Sequence, residues 1–245
     1  MNTRGVSIII RTLNEKEELA NVFKALSQQN FTGEKEIIVV DNESSDGTKE
    51  LAEKHGAKVL TIRKDEFTYP KSMNMGVKEA EYPIVILLVG HATPIGTNWL
   101  SSAAKHFSNP KVAGVYANVI PQKPFSFSEF FLYYPRFFVN KLFSPYTVKR
   151  AGRGVFAATN LALRKELWDK HHFEEKYELG GEDTHWAQWA IDQGYKIICD
   201  TDFVVRHSHH LNFWGVIQQT KYWSKLKNPT KFSKKELDFR KDLKL

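Results

Sequence analysis

The sequence predicts an α/β fold in which a mostly parallel central sheet is flanked by helices. Short β-branched runs without polar alternation, typical of strands buried on both faces, alternate with segments whose apolar residues recur at helical spacing. At 245 residues and 42% hydrophobic composition, the chain is long enough to bury one large core. In a sheet of this class the ligand is expected at the carboxyl ends of the strands.

The predicted elements follow in a regular order. Strands are predicted at residues 6–10, 36–40, 58–62, 82–89, 111–118, 155–158 and 195–199, and helices at residues 19–29, 48–55, 71–80, 97–107, 165–171 and from 182 onward. We expect one domain over residues 1–210 and a helical, basic extension over residues 211–245, in which Leu211, Trp214 and Ile217 form an apolar stripe.

Polar residues stand where the first two strands end. Thr12, Asn14 and Glu15 follow the first strand, and Asp41 and Asn42 follow the second. Neither strand is followed by a glycine-rich nucleotide fingerprint such as G-x-G-x-x-G. The carboxylates and amides either cap loops or bind the N–H and hydroxyl edges of a base and ribose.

Glu182 and Asp183 open the predicted helix that follows a glycine pair. The backbone N–H groups at a helix start stabilise negative charge, so both carboxylates are expected to stay ionised near neutral pH. Either they cap the helix, or one of them serves as a catalytic base.

Three histidines and one arginine are further candidates. His91 ends the fourth strand, and His207 and His209 lie two apart on an extended segment, so that they point the same way. Arg153 lies in a basic, glycine-flanked segment that either binds an anion or forms a surface loop.

Residues 125–146 interrupt the α/β rhythm with ten aromatic residues, broken by proline. Core packing is the expected fate of most of them. Packing over an acceptor, a homodimer contact and insertion into a membrane interface are the alternatives.

The composition and charge of the chain indicate the cellular compartment in which it is expected to work. Cys199 is the only cysteine and no run of about 18 apolar residues occurs, so we expect a cytoplasmic protein without a disulfide framework. Residues 221–245 hold nine Lys or Arg and three Asp or Glu, which is most of the formal charge of +7. The nearly neutral body argues against nucleic acid, whereas the basic end is either solvated or touches anionic lipid at the inner face of a membrane.

The order of these motifs resembles a known family. The resemblance is carried by Val6-Ser7-Ile8-Ile9-Ile10-x-Thr12-x-Asn14-Glu15, Ile38-Val39-Val40-Asp41-Asn42-x-Ser44-x-Asp46-Gly47-Thr48, Asn74-x-Gly76 and Glu182-Asp183. Together they are similar to the family 2 glycosyltransferases with the GT-A fold. Gly90-His91-Ala92-x-Pro94 and Val205-x-His207-x-His209 further resemble the bacterial rhamnosyltransferase-like branch.

The resemblance implies a role for each matching residue. Thr12, Asn14, Glu15, Asp41, Asn74, Gly90 and His91 would bind the nucleotide, and Asp183, with Glu182 as the alternate, would be the catalytic base. Arg153, apart from the resemblance, is expected to pair with the diphosphate if a metal is weak or absent. The family's metal-binding D-x-D motif is replaced by Val89-Gly90-His91. The resemblance then leaves His91 and His207 as ligands of a divalent metal, for which imidazole suits Mn²⁺ better than Mg²⁺.

The function implied is an inverting glycosyltransferase that uses a nucleotide-diphosphate sugar, either dTDP-rhamnose or a UDP-sugar. The acceptor would be a hydroxyl of a glycan or glycolipid in bacterial surface polysaccharide synthesis. A nucleotide-sugar-binding protein that lost catalysis with its D-x-D motif is the alternative. A sugar nucleotidyltransferase would need a glycine-rich, lysine-bearing loop after the first strand, which Arg11 to Glu15 lack.

Overall fold

A computed structural model describes residues 5–152, 154–178 and 180–208, together with 214, 215, 217, 218 and 221. The strands are β1 (Gly5–Thr12), β2 (Glu34–Asp41), β3 (Lys58–Thr61), β4 (Ile84–Val89), β5 (Thr93–Pro94), β6 (Val112–Tyr116), β7 (Tyr146–Val148), β8 (Asn160–Arg164), β9 (Lys196–Cys199) and β10 (Val205–Arg206). The α-helices are α1 (Lys16–Ser27), α2 (Thr48–Lys54), α3 (Tyr69–Lys78), α4 (Trp99–Ala104), α5 (Phe127–Phe143), α6 (Lys165–Trp168) and α7 (Glu182–Asp192). Short 3-10 helices occur at Lys105–Ser108, Glu175–Tyr177 and Thr201–Phe203.

Eight of these strands form one sheet in the order β3-β2-β1-β4-β8-β6-β9-β7. The first four strands in that order run parallel, as do β6 and β9, whereas β8 and β7 run antiparallel to their neighbours. The ends of β1, β2 and β4 therefore lie side by side at one edge of the sheet. This agrees with the predicted, mostly parallel architecture.

Helices cover both faces of the sheet and divide the core in two. Ile8 and Ile10 of β1 pack with α1, whereas Ile9, between them, points to the opposite face with Val77 of α3. This alternation follows from the two-residue period of a strand. In α1, residues 19, 22, 23 and 26 are buried at helical spacing, which explains why a short amphipathic helix forms there.

The predicted strand at residues 155–158 is wrong, and the strand of this region lies further along the chain. Phe156 has a left-handed backbone (φ 60°), and its ring is buried where it stacks on Trp186 of α7 at 5.5 Å. The apolar run is thus a turn that inserts one large side chain into the core. The actual strand, β8, was missed because its sequence lacks β-branched residues and reads as the approach to a helix.

The aromatic segment, for which no helix was predicted, forms helix α5. It runs for 17 residues through Pro135, and a capping box between Ser126 and Glu129 fixes its start. Core packing of most of the aromatic segment is also wrong, because large side chains along α5 are exposed. They are Phe127 (84%), Phe131 (67%), Phe138 (55%), Val139 (55%), Leu142 (80%) and Phe143 (70%).

The remaining predictions on chain organisation concern the C-terminal part. Residues 214, 215, 217, 218 and 221 have helical conformation, and Trp214 is 70% exposed. The division into residues 1–210 and 211–245 stays a prediction, since the structure describes little of the second part. Among the described residues, every helix is too short or too polar to cross a bilayer.

Candidate active site

The sheet brings the predicted polar residues together at the carboxyl ends of three parallel strands. The Asn42 N–H donates to the Thr12 carbonyl across β2 and β1 (3.0 Å), and the Gly90 N–H donates to the Arg11 carbonyl across β4 and β1 (2.9 Å). The loops that follow the three strands therefore start from adjacent positions. This is the place at which open α/β sheets bind their ligands.

Asp41, the last residue of β2, is buried at this edge of the sheet and is 1% exposed. Its Oδ2 accepts a hydrogen bond from the Ser44 N–H (3.0 Å), whereas its Oδ1 has no hydrogen-bond partner in the described part of the chain. A buried oxygen without a donor costs about 1–3 kcal/mol, so a ligand that donates an N–H would be stabilised there. The predicted contact of Asp41 with the base agrees with this arrangement.

Asn14 connects two loops. It adopts a left-handed conformation (φ 51°), its N–H donates to Ser44 Oγ (2.8 Å), and its Oδ1 accepts from the Ser45 N–H (2.8 Å). The side-chain oxygen is thus already engaged, and the residue fixes the loop after β1 to the loop after β2. Its predicted contact with the nucleotide is untested.

Thr12, Glu15 and Gly90 pack against each other. The Thr12 hydroxyl donates to Glu15 Oε2 (2.9 Å), and a Cβ placed on Gly90 would lie 2.2 Å from that oxygen and 2.6 Å from Thr12 Oγ1. Glycine is therefore required at position 90 by the close approach of two side chains. Position 90 is the middle of the altered D-x-D motif, and its glycine leaves room for the Glu15 side chain.

Glu15 contacts His91, and His91 contacts His207. We name these three residues the imidazole cluster. His91 Nδ1 lies 2.5 Å from Glu15 Oε1, and its Nε2 lies 3.0 Å from His207 Nε2. Burial alone would raise the pKa of Glu15, but the hydrogen bond and charge of His91 outweigh it and hold that pKa below its usual value. The carboxylate thus stays ionised and orients the ring of His91.

The imidazole cluster has ligand atoms for a metal ion. The Nε2 atoms of His91 and His207 face each other, and the Glu15 carboxylate fixes one of the rings, as carboxylates do for metal-bound histidines. This donor set fits Mn²⁺ better than Mg²⁺, which prefers oxygen. His209, the third predicted histidine, lies outside the described residues.

Glu182 and Asp183 begin α7, after a glycine pair with positive φ at positions 180 and 181. Asp183 accepts from the Ala158 N–H (2.9 Å) and from the Thr184 N–H (2.5 Å), whereas Glu182 is 2% exposed and its Oε2 has no partner among the described residues. The two backbone donors favour the charge on Asp183 over a charge on its neighbour.

The expectation that both carboxylates stay ionised is wrong. Burial and the charge of Asp183 raise the pKa of Glu182 to about 8, and burial also raises the pKa of Asp183. The helix start cannot offset this, because the turn that buries Phe156 covers the end of α7 and removes water from it. Near neutral pH Glu182 therefore holds a proton, and the two backbone donors make Asp183 the member of the pair that carries a charge more readily.

Arg11 is a site residue that the sequence argument missed. Its guanidinium lies 4.4 Å from the centre of the Tyr69 ring, and its Nε and Nη1 have no hydrogen-bond acceptor within the described residues. Its charge adds to the lowering of the pKa of Glu15 by His91 and partly opposes the rise that burial causes in the pKa of Glu182 and Asp183. The signal was present, since a charged residue near the end of an otherwise buried strand is unusual.

Asn74 is placed elsewhere. Asn74 donates from Nδ2 to the Phe173 carbonyl (2.8 Å) and accepts at Oδ1 from Trp168 Nε1 (3.1 Å) and the Phe173 N–H (3.2 Å). Its amide thus joins α3 to the segment before α7, and the structure does not bring it to the strand ends. Arg153 lies outside the described residues.

Comparison with solved structures identifies the fold. A mannosyltransferase from Pyrobaculum calidifontis, solved in complex with GDP-Man and Mn²⁺, superposes with a TM-score of 0.66 at 19% identity, over 89% of this chain and 60% of that chain. Such neighbours confirm the predicted GT-A fold.

Comparison by sequence identifies relatives. The chain is 27% identical over 210 residues to glycosyltransferase AglE of Haloferax volcanii, which covers 82% of this chain and 66% of that protein. It is 26% identical over 213 residues to the O-antigen chain rhamnosyltransferase RfbN of Salmonella typhimurium, covering 84% and 67%. The chain thus spans about two thirds of the length of these relatives. Residues 7–169 match the sequence profile of glycosyl transferase family 2, and the chain belongs to that family.

Proposed function

We propose that this chain is an inverting glycosyltransferase that moves a sugar from a nucleotide-diphosphate donor to a hydroxyl group of a glycan or glycolipid. The observation that carries the proposal is the buried Asp41 at the carboxyl ends of the parallel strands, whose Oδ1 has no hydrogen-bond partner within the described residues. Family membership supports the same assignment.

Asp183 is the proposed base. It removes the proton from the acceptor hydroxyl as the acceptor oxygen attacks the anomeric carbon from the face opposite the diphosphate. The glycosidic bond forms as the bond to the diphosphate oxygen breaks, so the anomeric configuration inverts. Asp183 suits this step because its two backbone donors favour its charged form beside Glu182, whose pKa is raised.

Asp41 and the imidazole cluster are the proposed donor site. The unpartnered Oδ1 of Asp41 accepts an N–H of the base, and Thr12, Glu15 and Gly90 form the wall beside the ribose and diphosphate. We propose that His91 and His207 hold a divalent metal ion, whose charge offsets that of the leaving diphosphate. Asn14 and Asn74 remain predictions from the family resemblance, and Arg153 remains a prediction from its basic, glycine-flanked segment.

A dTDP-rhamnose donor is proposed from the Gly90-His91-Ala92-x-Pro94 segment and from the likeness to RfbN, a rhamnosyltransferase. UDP-sugars are the competing donors. Calorimetric titration with dTDP and UDP separates them, and binding of UDP alone would exclude the rhamnose proposal.

The activity test is a panel of nucleotide sugars assayed for donor hydrolysis and transfer with Mn²⁺, with Mg²⁺ and with chelator. We expect turnover of one donor that depends on Mn²⁺. The loss of both D-x-D carboxylates favours one second candidate, a nucleotide-sugar-binding protein without catalysis. Nucleotide binding without turnover on any donor would support that candidate.

We also propose that the protein works at the cytoplasmic face of a membrane, in bacterial surface polysaccharide synthesis. The support is the row of exposed apolar side chains on α5, together with the basic residues of 221–245. A homodimer through residues 125–146 is the competing use of the same face.

Flotation with anionic vesicles and sedimentation in their absence distinguish these uses. We expect the natural chain to bind vesicles and to sediment as a monomer. The double variant with both Phe131→Ser and Leu142→Ser should lose vesicle binding. A dimer that this variant dissociates, without vesicle binding in either protein, would favour the homodimer.

A further inference from the structure

Three metal-ligating side chains lie together outside the nucleotide site. His171 and Glu174 belong to the segment before α7, and His185 belongs to the first turn of α7. One ligand atom from each of the three lies within 4.8 Å of the other two, and all three residues are partly buried. We name this group the His-His-Glu cluster.

The members of the cluster do not satisfy one another. His171 Nε2 and His185 Nδ1 are buried and have no hydrogen-bond partner within the described part of the chain. The contact between His185 Nε2 and Glu174 Oε1 is 3.5 Å, which is longer than a good hydrogen bond. Two buried ring nitrogens without partners are costly unless a further group joins them.

Surrounding residues hold each ligand in place. His171 stacks on Trp189 with ring centres 4.5 Å apart, and its carbonyl accepts from Trp186 Nε1 (2.7 Å). Lys176 forms an ion pair with Glu174 Oε2, so the other carboxylate oxygen faces His185. Ligands fixed by outer contacts are typical of protein metal sites.

We propose that His171, Glu174 and His185 bind a divalent transition metal ion of the Zn²⁺ type. Two imidazole nitrogens and one carboxylate oxygen are an established set of three protein ligands for zinc, and imidazole favours Zn²⁺ over Mg²⁺ or Ca²⁺. The ion would join the segment at residues 171–177 to the first turn of α7, two residues after Asp183. Its role is therefore to fix the helix that carries the candidate base.

The chemistry of His171 agrees with this proposal. Burial, and then the neighbouring His185, lower the pKa of His171, which favours the neutral form of the ring. Neutral imidazole is the form that binds metal.

Zinc titration of the 245-residue chain tests the proposal. Because the imidazole cluster also binds transition metals, the titration uses a His91→Gln, His207→Gln background, in which one zinc equivalent is expected. Adding His171→Gln, Glu174→Gln or His185→Gln should lower zinc affinity at least tenfold. Adding His172→Gln or Glu175→Gln, exposed neighbours outside the cluster, should leave it within about twofold. No zinc binding in the background, or equal affinity in ligand and control variants, would overturn the proposal.

Thermal unfolding supplies a second measurement that does not depend on the double background. With His91 and His207 unchanged, zinc should raise the Tm of the natural chain and of the His172→Gln variant. The His171→Gln variant should lose the part of this rise that comes from the His-His-Glu cluster. Circular dichroism of each variant without metal verifies that the fold is intact. An equal zinc-induced rise in both variants would contradict the site even if the chain proves to be an active glycosyltransferase.

Discussion

Glu15→Gln is the substitution that most directly tests the imidazole cluster. It preserves the size of the side chain but removes the charge that Nδ1 of His91 contacts at 2.5 Å, while an oxygen remains to accept from that nitrogen. The hydroxyl of Thr12 loses its charged acceptor as well. A hydrogen bond to a charged group contributes about 1.5–3 kcal/mol, against about 0.5–1.5 kcal/mol for a neutral pair.

The difference, about 1–2 kcal/mol, corresponds to a decrease in Mn²⁺ affinity of about 5- to 30-fold. That range overlaps the loss of about 10- to 100-fold seen when residues that orient metal-bound histidines are replaced. Nucleotide affinity in the presence of chelator should change less than about threefold, because Asp41 is untouched.

Free Mn²⁺ can be quantified by electron paramagnetic resonance during titration with nucleotide present. Glu17→Gln, an exposed change in the first turn of α1, is the matched control. Equal Mn²⁺ affinity in both variants would refute the assignment of Glu15 as the residue that orients His91.

Three further outcomes are expected. Asp183→Asn should reduce transfer by about 10²- to 10⁴-fold and leave nucleotide affinity within a few-fold, whereas an active variant would move the role of base to Glu182. Because the folded-state pKa of Glu182 is raised above that of the unfolded chain, the folded protein binds the extra proton between about pH 4.5 and 8, and this group lowers stability as pH rises through that window. Glu182→Gln should reduce the loss of unfolding free energy between pH 5 and pH 8 by about 1 kcal/mol or more, measured by urea unfolding at the two pH values. An unchanged loss would contradict the burial argument. Gly90→Ala should destabilise the fold by about 1–3 kcal/mol and displace Glu15, with both effects absent if the loop can shift without cost.

The order of the strands and helices was predictable because the fold depends on repeated local patterns. The buried strands β1, β2 and β4 contain continuous apolar runs, and polar residues at their ends meet because parallel neighbours end at the same edge. The pairing of His91 with His207, 116 positions apart, was suggested only by the family resemblance. Spacing along the chain carries no information on such a contact.

The features that were missed depend on tertiary packing. Nothing local to Phe156 indicates a left-handed residue, and that turn is what buries Glu182 and Asp183 and reverses the expectation about their charge. Asn74 resembles a binding residue by motif, but its amide joins α3 to Phe173 and Trp168. In α5, the number of aromatic residues suggested a core, although the helix has more apolar surface than its neighbours cover.

The reversed direction of β8 determines where this scaffold can be altered. Asn160 at the start of β8 pairs with Leu88 near the end of β4, and Ala158, just before it, donates to Asp183. The opposite end of β8 leads to Lys165, whose N–H donates to the Pro83 carbonyl at the far edge of the sheet. Loop exchange intended to change acceptor choice therefore belongs before β8, whereas a fusion tag or surface anchor inserted after it would lie on the side remote from the chemistry.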